Sequence, residues 1–218
     1  MTTRKSTVIP AAANDAAGRR AALLVIDMQN DFCLSDSSGS GRPLDRATVS
    51  AVVENTRRSV GVARQAGVEV IFVRFLGDEK YQGPSWRERN RRLGKRPRCR
   101  EHTWGAEFHR VEPAPGERVF TKRAHFDAFL TAGFEEYLAS RGVSTVVLAG
   151  LYSDVCVDST ARTAFQKGYH VTVLSDCTTS LHLDPAAVLR FMEVLYGARI
   201  TSWEEMARTG LWATEPAG

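Results

Sequence analysis

Short apolar runs alternate with stretches of helical periodicity along most of this chain. Residues 21–27 (AALLVID) are apolar up to a terminal acid, the mark of a strand buried on both faces. In residues 46–66, Val49, Val52, Val53, Thr56, Val60 and Ala63 fall on one stripe and Gly67 follows, which predicts a helix closed by a glycine. Residues 68–74 form a second apolar run. The pattern is clearest in residues 143–180. A Val-rich run at 143–149 ends at Gly150. Val157, Ala161, Ala164 and Phe165 then recur at helical spacing up to Gly168, and residues 169–175 are apolar again. Strand, turn, helix and strand in that order form the repeating unit of a parallel sheet.

Shorter signals complete the series. They predict a strand at 119–121, a helix at 131–141 ended by Gly142, and a helix opening at Pro185 and running to Tyr196. A short strand at 198–200 and a terminal helix at 203–208 follow. The expected fold is a single α/β domain over residues 21–210, doubly wound and Rossmann-like, without internal repeats.

Four stretches stand outside the alternation. Residues 1–20 (MTTRKSTVIPAAANDAAGRR) hold no apolar core long enough for a secretory signal, and read as a flexible arm ordered against a neighbouring subunit. Residues 35–41 are rich in Ser and Gly and read as a mobile loop, and residues 211–218 as a tail. Residues 75–116 are too long for an ordinary connection. They gather Arg87, Arg89, Arg91, Arg92, Lys95, Arg96, Arg98 and Arg100. This segment reads either as a solvated face or subunit contact, or as a lid whose cations attract an anionic small-molecule substrate. A nucleic-acid surface is the weaker reading, because no recognition module surrounds the cluster.

Composition changes this picture little. Of 218 residues, 43% are hydrophobic and 25% charged, ordinary values for a soluble globular protein. The net charge of +4, with a pI of about 9.0, is largely accounted for by the basic segment. No run of 18 apolar residues exists, so no membrane span is expected. Cys33, Cys99, Cys156 and Cys177 form neither a CxxC pair nor a zinc spacing, and a reducing cytoplasm is the simplest setting.

Three reactive residues stand at the carboxyl ends of three expected strands, where open α/β sheets place their sites: Asp27, Lys122 and Cys156. Cys156 lies at the turn into a helix, with Ser153 or Asp154 as the expected N-cap. There the helix dipole and free amides favour a thiolate and could hold an oxyanion. Each residue also has a plainer reading: Cys156 as a small core residue, Asp27 as a cap on the next turn, Lys122 as an exposed strand-end lysine. Together they form an acid, a cation and a thiol suited to nucleophilic catalysis.

In LLVIDMQNDF (23–32), PGERVFTK (115–122), HFDAF (125–129) and GLYSDVCVDSTARTAFQKGY (150–169), the chain resembles the isochorismatase-like cysteine hydrolases. That family includes nicotinamidase and the N-carbamoylsarcosine, ureidoacrylate and biuret hydrolases. The resemblance covers nearly all of 21–208 and implies a six-stranded parallel sheet with helices on both faces. It implies Asp27 as the base, Lys122 as the cation and Cys156 as the nucleophile of a thioester route. It also implies a cis Leu151–Tyr152 peptide and an oxyanion hole made by the amides of Tyr152 and Cys156. The family's spacing leaves Arg123 as the alternative cation.

Phe32, Trp104, Phe126 and Tyr152 are the implied substrate-binding aromatics, and His102 lies in the HTWG run beside Trp104. Cys156 favours hydrolysis of an amide, carbamoyl or ureido C–N bond. The stretch RFLGDEKYQG (74–83) lacks the DxH spacing of metal-binding nicotinamidases, so neither metal nor cofactor is expected. The family commonly forms homodimers or homotetramers. The alternatives are vinyl-ether hydrolysis or another biosynthetic reaction on the same fold, or a non-catalytic binding protein.

Overall fold

The apolar runs become six strands: β1 (Arg20–Ile26), β2 (Glu69–Leu76), β3 (Arg118–Arg123), β4 (Val143–Leu151), β5 (His170–Thr179) and β6 (Arg199–Thr201). They form one sheet in the order β3-β2-β1-β4-β5-β6, and every neighbouring pair is parallel. The structure, a computed structural model, describes residues 20–34 and 45–209. The expected arm before Arg20, the Ser/Gly loop at 35–41 and the tail at 211–218 lie outside the described residues.

The helices are α1 (Asn30–Cys33), α2 (Arg46–Gln65), α3 (Pro84–Leu93), α4 (Phe134–Ser140), α5 (Asp158–Gln166), α6 (Pro185–Tyr196) and α7 (Trp203–Thr209). A parallel sheet must be covered on both faces, and alternation along β1 divides its side chains between two cores. Ala22, Leu24 and Ile26 pack with Phe134 and Leu138 of α4, Ala161 and Ala164 of α5, and Val188 and Met192 of α6. Ala21, Leu23 and Val25 pack with the α2 valines and Met206 of α7. Asp45 caps α2 through the Ala47 and Thr48 amides, and Asp184 caps α6 through Ala187. Among the described residues no helix is long and apolar enough to cross a membrane.

Several local expectations change. The helix expected at 131–141 shortens to Phe134–Ser140, preceded by a 3-10 turn at Ala128–Leu130. β5 runs on to Thr179, because a register shift between Leu148 and Gly150 lets Gly150 and Leu151 pair with Thr178 and Thr179. The long segment 75–116 holds α3 between two 3-10 turns, Glu79–Tyr81 and Trp104–Ala106. Phe165, placed by periodicity on the buried face of α5, is 48% exposed.

The turn into α5 also differs. Neither Ser153 nor Asp154 caps it; a π-turn at Ser153–Val157 precedes the helix, which begins at Asp158. The Asp154 carboxylate turns the other way and accepts the amides of Leu181, His182 and Leu183 at 2.8, 2.6 and 3.1 Å. It thereby ties the loop after β5 to the loop after β4.

From β1 the chain winds outward to β2 and β3, then returns to β4 on the other side of β1. The connections therefore diverge at the carboxyl ends of β1 and β4, the position where doubly wound sheets open a crevice. Gly150 makes this junction possible. Its φ is +117°, and a Cβ there would lie 1.9 Å from the Ile26 carbonyl oxygen. Gly168, after α5, also has a positive φ of +88°, but a Cβ there would meet open space.

These two glycines predict an order of effects. Gly168→Ala should cost about 1–2 kcal/mol, the strain of a left-handed Ala. Gly150→Ala adds a backbone collision and should cost more than about 4 kcal/mol, in the range reserved for severe lesions. Urea denaturation followed by circular dichroism measures both; equal losses would contradict the account of the β1–β4 junction.

Candidate active site

Asp27 follows β1 directly, with φ of 54°, and its amide donates to Val73 O at 2.8 Å. Lys122 lies near the end of β3, paired in register with Phe75 of β2. Its apolar stem reaches past β2, with Nζ 5.8 Å from the centre of the Phe75 ring. Lys122 Nζ donates to Asp27 Oδ2 at 2.7 Å and to Phe126 O at 2.9 Å. Both side chains of the pair are 0% exposed. Alternation along β3 turns the next side chain to the opposite face. Arg123 is exposed there and lies 5.3 Å over the Tyr81 ring. Between the two candidates, Lys122 is the cation that meets Asp27.

Cys156 is carried by the π-turn beyond β4 and is 5% exposed. Its thiol interacts with both members of the ion pair. Burial pushes its pKa well above the ordinary thiol value, and the Asp27 charge raises it further against the pull of Lys122. The expected resting thiolate is therefore not what these surroundings favour. Two facts explain the difference: α5 begins only at Asp158, and desolvation outweighs the lysine's charge.

Burial also raises the Asp27 carboxyl, while the Lys122 charge and hydrogen bonds with Cys156 and Lys122 pull it part of the way back. For Lys122, burial disfavours the charged form, but Asp27 and Cys156 outweigh it and hold the ammonium above its ordinary value. The result is a firmly charged lysine, a carboxylate more basic than one at a surface, and a protonated thiol beside it. Asp27 Oδ1 is buried and accepts no conventional hydrogen bond among the described residues.

A cavity of about 450 Å3 opens over Cys156. Phe32, Tyr152 and Phe126 line it together with Trp86, Arg89 and Asn90 of α3. Asp27 and Lys122 are not in its walls; they lie sealed in the sheet end. Three of the four expected aromatics therefore face the cavity. Tyr152 OH donates to Phe32 O at 2.6 Å, and their rings meet edge to face at 6.1 Å. Phe126 packs on Trp86 at 4.8 Å. The Leu151–Tyr152 peptide is cis.

Trp104 is the exception. It is 60% exposed and outside the cavity walls, because Asn30 Nδ2 holds its carbonyl and the turn faces its ring outward. His102 is exposed as well.

Some site residues escaped the sequence reading. Trp86 stacks against Phe75 at 6.1 Å and forms the lid's inner face; its spacing of three from Arg89 in PSWRERN was the available signal. Gln29 is fully buried and joins three elements. Its Nε2 donates to Phe75 O and Ala106 O, both at 2.9 Å, and its Oε1 accepts from Phe75 N at 2.7 Å. His125 lies close enough for its charge to interact with both Asp27 and Lys122, and burial lowers its pKa. Among the described residues no three His, Cys, Asp or Glu side chains gather as a metal-ligand set.

Comparison with known proteins bears on the family and the fold. Residues 21–205 match the model of the isochorismatase domain. The ureidoacrylate amidohydrolase of Pseudomonas savastanoi pv. phaseolicola is 30% identical over 192 residues, covering 81% of this chain and 78% of that protein. The one from Agrobacterium fabrum is 28% identical over 178 residues, covering 75% and 77%. Among solved structures, N-carbamoylsarcosine amidase from Thermoplasma acidophilum superposes with a TM-score of 0.70 at 26% identity, covering 85% of this chain and 97% of that one. An isochorismatase family protein from Desulfovibrio vulgaris subsp. vulgaris gives 0.73 at 28% identity, covering 88% and 98%. With its sheet order, its strand-end acid, lysine and cysteine, and a family match over 21–205, the chain belongs to the isochorismatase family.

Proposed function

We propose that this protein is a cysteine amidohydrolase that cleaves the C–N bond of an amide, carbamoyl or ureido group on a small molecule. The observation that carries this reading is the placement of the Cys156 thiol. It opens into the cavity directly in front of a fully buried Asp27–Lys122 pair held at 2.7 Å. The named relatives, a ureidoacrylate amidohydrolase and an N-carbamoylsarcosine amidase, support the bond type.

The chemistry follows from the charges. A protonated thiol beside a carboxylate of raised pKa transfers its proton to Asp27 as the sulfur attacks the carbonyl carbon. Lys122 remains charged and steadies the negative charge as it passes from carboxylate to sulfur. The amides of Tyr152 and Cys156 receive the developing oxyanion. The C–N bond then breaks, and the nitrogen leaves with the proton held by Asp27, leaving a thioester on Cys156. Water enters and gives a proton to Asp27 as its oxygen attacks the thioester. The C–S bond breaks, the acid product departs and the proton returns to sulfur.

Ammonia release from a panel of amides, ureas and carbamoyl compounds tests the reading. Cys156→Ala should lose about 10^3-fold or more of kcat while keeping its circular dichroism spectrum; retained turnover would reject the cysteine route. The pH profile tests the base. Below its pKa, Asp27 carries a proton and cannot accept the thiol's, so kcat/KM should fall as pH drops through that value. Because the folded-state pKa is raised, the midpoint of this acid limb should lie above 3.8. Asp27→Asn should abolish the limb and lower kcat by about 10^2–10^4-fold; a limb unchanged in that variant would remove Asp27 from the mechanism.

A further inference from the structure

The cavity that Cys156 lines also carries four cations, Arg89, Lys95, Arg96 and Arg98, and no Asp or Glu. Of the acids in and beside the lid, Glu88 pairs with Arg91 at 2.7 Å, Glu101 pairs with Lys80 at 2.6 Å, and Asp31 Oδ2 accepts the Cys99 amide at 2.6 Å. Among the described residues none of the four wall cations has a carboxylate partner. Lys95 lies close enough to Arg89 and Arg98 that, after burial, their charges are what lower its pKa. Like charges gathered at a partly desolvated wall repel one another, and an anion placed among them relieves that repulsion.

Arg89 is the member held in place. It is half-buried on α3, and its guanidinium lies 4.2 Å over the Trp86 ring and 5.9 Å from that of Phe126. Nε and Nη2 donate to Asn90 Oδ1 at 3.2 and 2.8 Å. Asn90 Nδ2 donates in turn to Gln82 Oε1 at 3.2 Å, and Gln82 Nε2 to Gly77 O at 2.7 Å. This relay of amides anchors the guanidinium to the backbone just beyond β2. Stacking and one occupied edge leave Nη1 without a partner among the described residues. An arginine fork fixed in this way suits a planar, singly charged carboxylate. Arg98, by contrast, donates from Nη1 to Asp31 O at 3.3 Å.

We propose that this wall is a carboxylate subsite: Arg89, with Lys95 and Arg98 beside it, holds an anionic end of the substrate while the scissile carbonyl lies on Cys156. The orientation rests on the cysteine hydrolase reading; the anion preference of the wall does not.

The test separates the two. Iodoacetate and iodoacetamide alkylate a thiol by the same displacement of iodide and differ in charge. Their rate ratio at Cys156, read by peptide mass spectrometry, is compared with that of glutathione at the same pH. A subsite predicts a ratio about tenfold or more above glutathione's in the native protein. Arg89→Gln should lower it about tenfold, Arg89→Lys should restore part of it, and Arg92→Gln, an exposed position on the same helix, should leave it unchanged. A native ratio equal to glutathione's, or one that survives Arg89→Gln, overturns the subsite.

If Cys156 takes neither reagent, the nucleophile fails and calorimetry on Cys156→Ala decides the subsite alone. Tighter binding of 3-ureidopropionate than of n-propylurea, lost on adding Arg89→Gln, supports it. Equal affinities, or no binding of either compound, overturn it.

Discussion

The structure turns on an ammonium and a carboxylate buried together at the end of a parallel sheet. Taking both charges out of water costs several kcal/mol per ion, and only close geometry with further hydrogen bonds offsets it. Lys122 meets that condition through Asp27 Oδ2 and the Phe126 carbonyl. The pair therefore constrains strands that are distant in sequence. β3 must hold Lys122 level with Phe75, and β4 must pass close enough to Ile26 that only glycine fits at position 150. A one-residue slip of β3 would turn Lys122 to the opposite face and leave Asp27 a buried unpaired acid.

That arrangement divides the labour of the site. Cys156 alone of the three reaches the cavity, while acid and lysine stay dry behind it. Dryness raises the Asp27 carboxyl above a surface carboxylate and holds the proton on the thiol. The protonation of the three groups is thus set by the assembled site and not by a helix dipole. In front of the thiol, four neutral amides help to hold the lid. Gln29 and Asn30 secure the Trp104–Ala106 turn, and Gln82 and Asn90 secure α3. Those amides add no charge, and no Asp or Glu lines the cavity with Arg89, Lys95, Arg96 and Arg98, so its charge is positive where the lid meets it.

Much of this was legible in the order of residues. The apolar runs marked the inner strands β1, β2, β4 and β5 because a strand buried on both faces has no polar alternation to hide it; the edge strands β3 and β6 left only shorter signals. The stripe of α2 and the opening proline of α6 marked those helices nearly to the residue. The acid, lysine and thiol were legible because each ends a strand, and strand ends on one edge of a doubly wound sheet converge. Legibility failed where a neighbour far along the chain decided the outcome. Asp154 reads as a cap, yet three amides from the loop after β5 claim it. Phe165 follows the buried stripe but lies at its edge, and Trp104 reads as a pocket aromatic until its turn is fastened by Asn30. Trp86 and Gln29 gave almost no signal, since a lone aromatic in a basic helix and an amide after a strand have many uses.

By itself, the sequence determined the layered α/β fold and put an acid, a lysine and a thiol at strand ends, because periodicity and strand-end position are local properties. Only the tertiary structure decided between Lys122 and Arg123, set the direction of the thiol's pKa and turned α3 into a wall of the cavity. Those outcomes depend on distances and burial between segments far apart in the chain, and electrostatic energies follow distance and burial rather than sequence order.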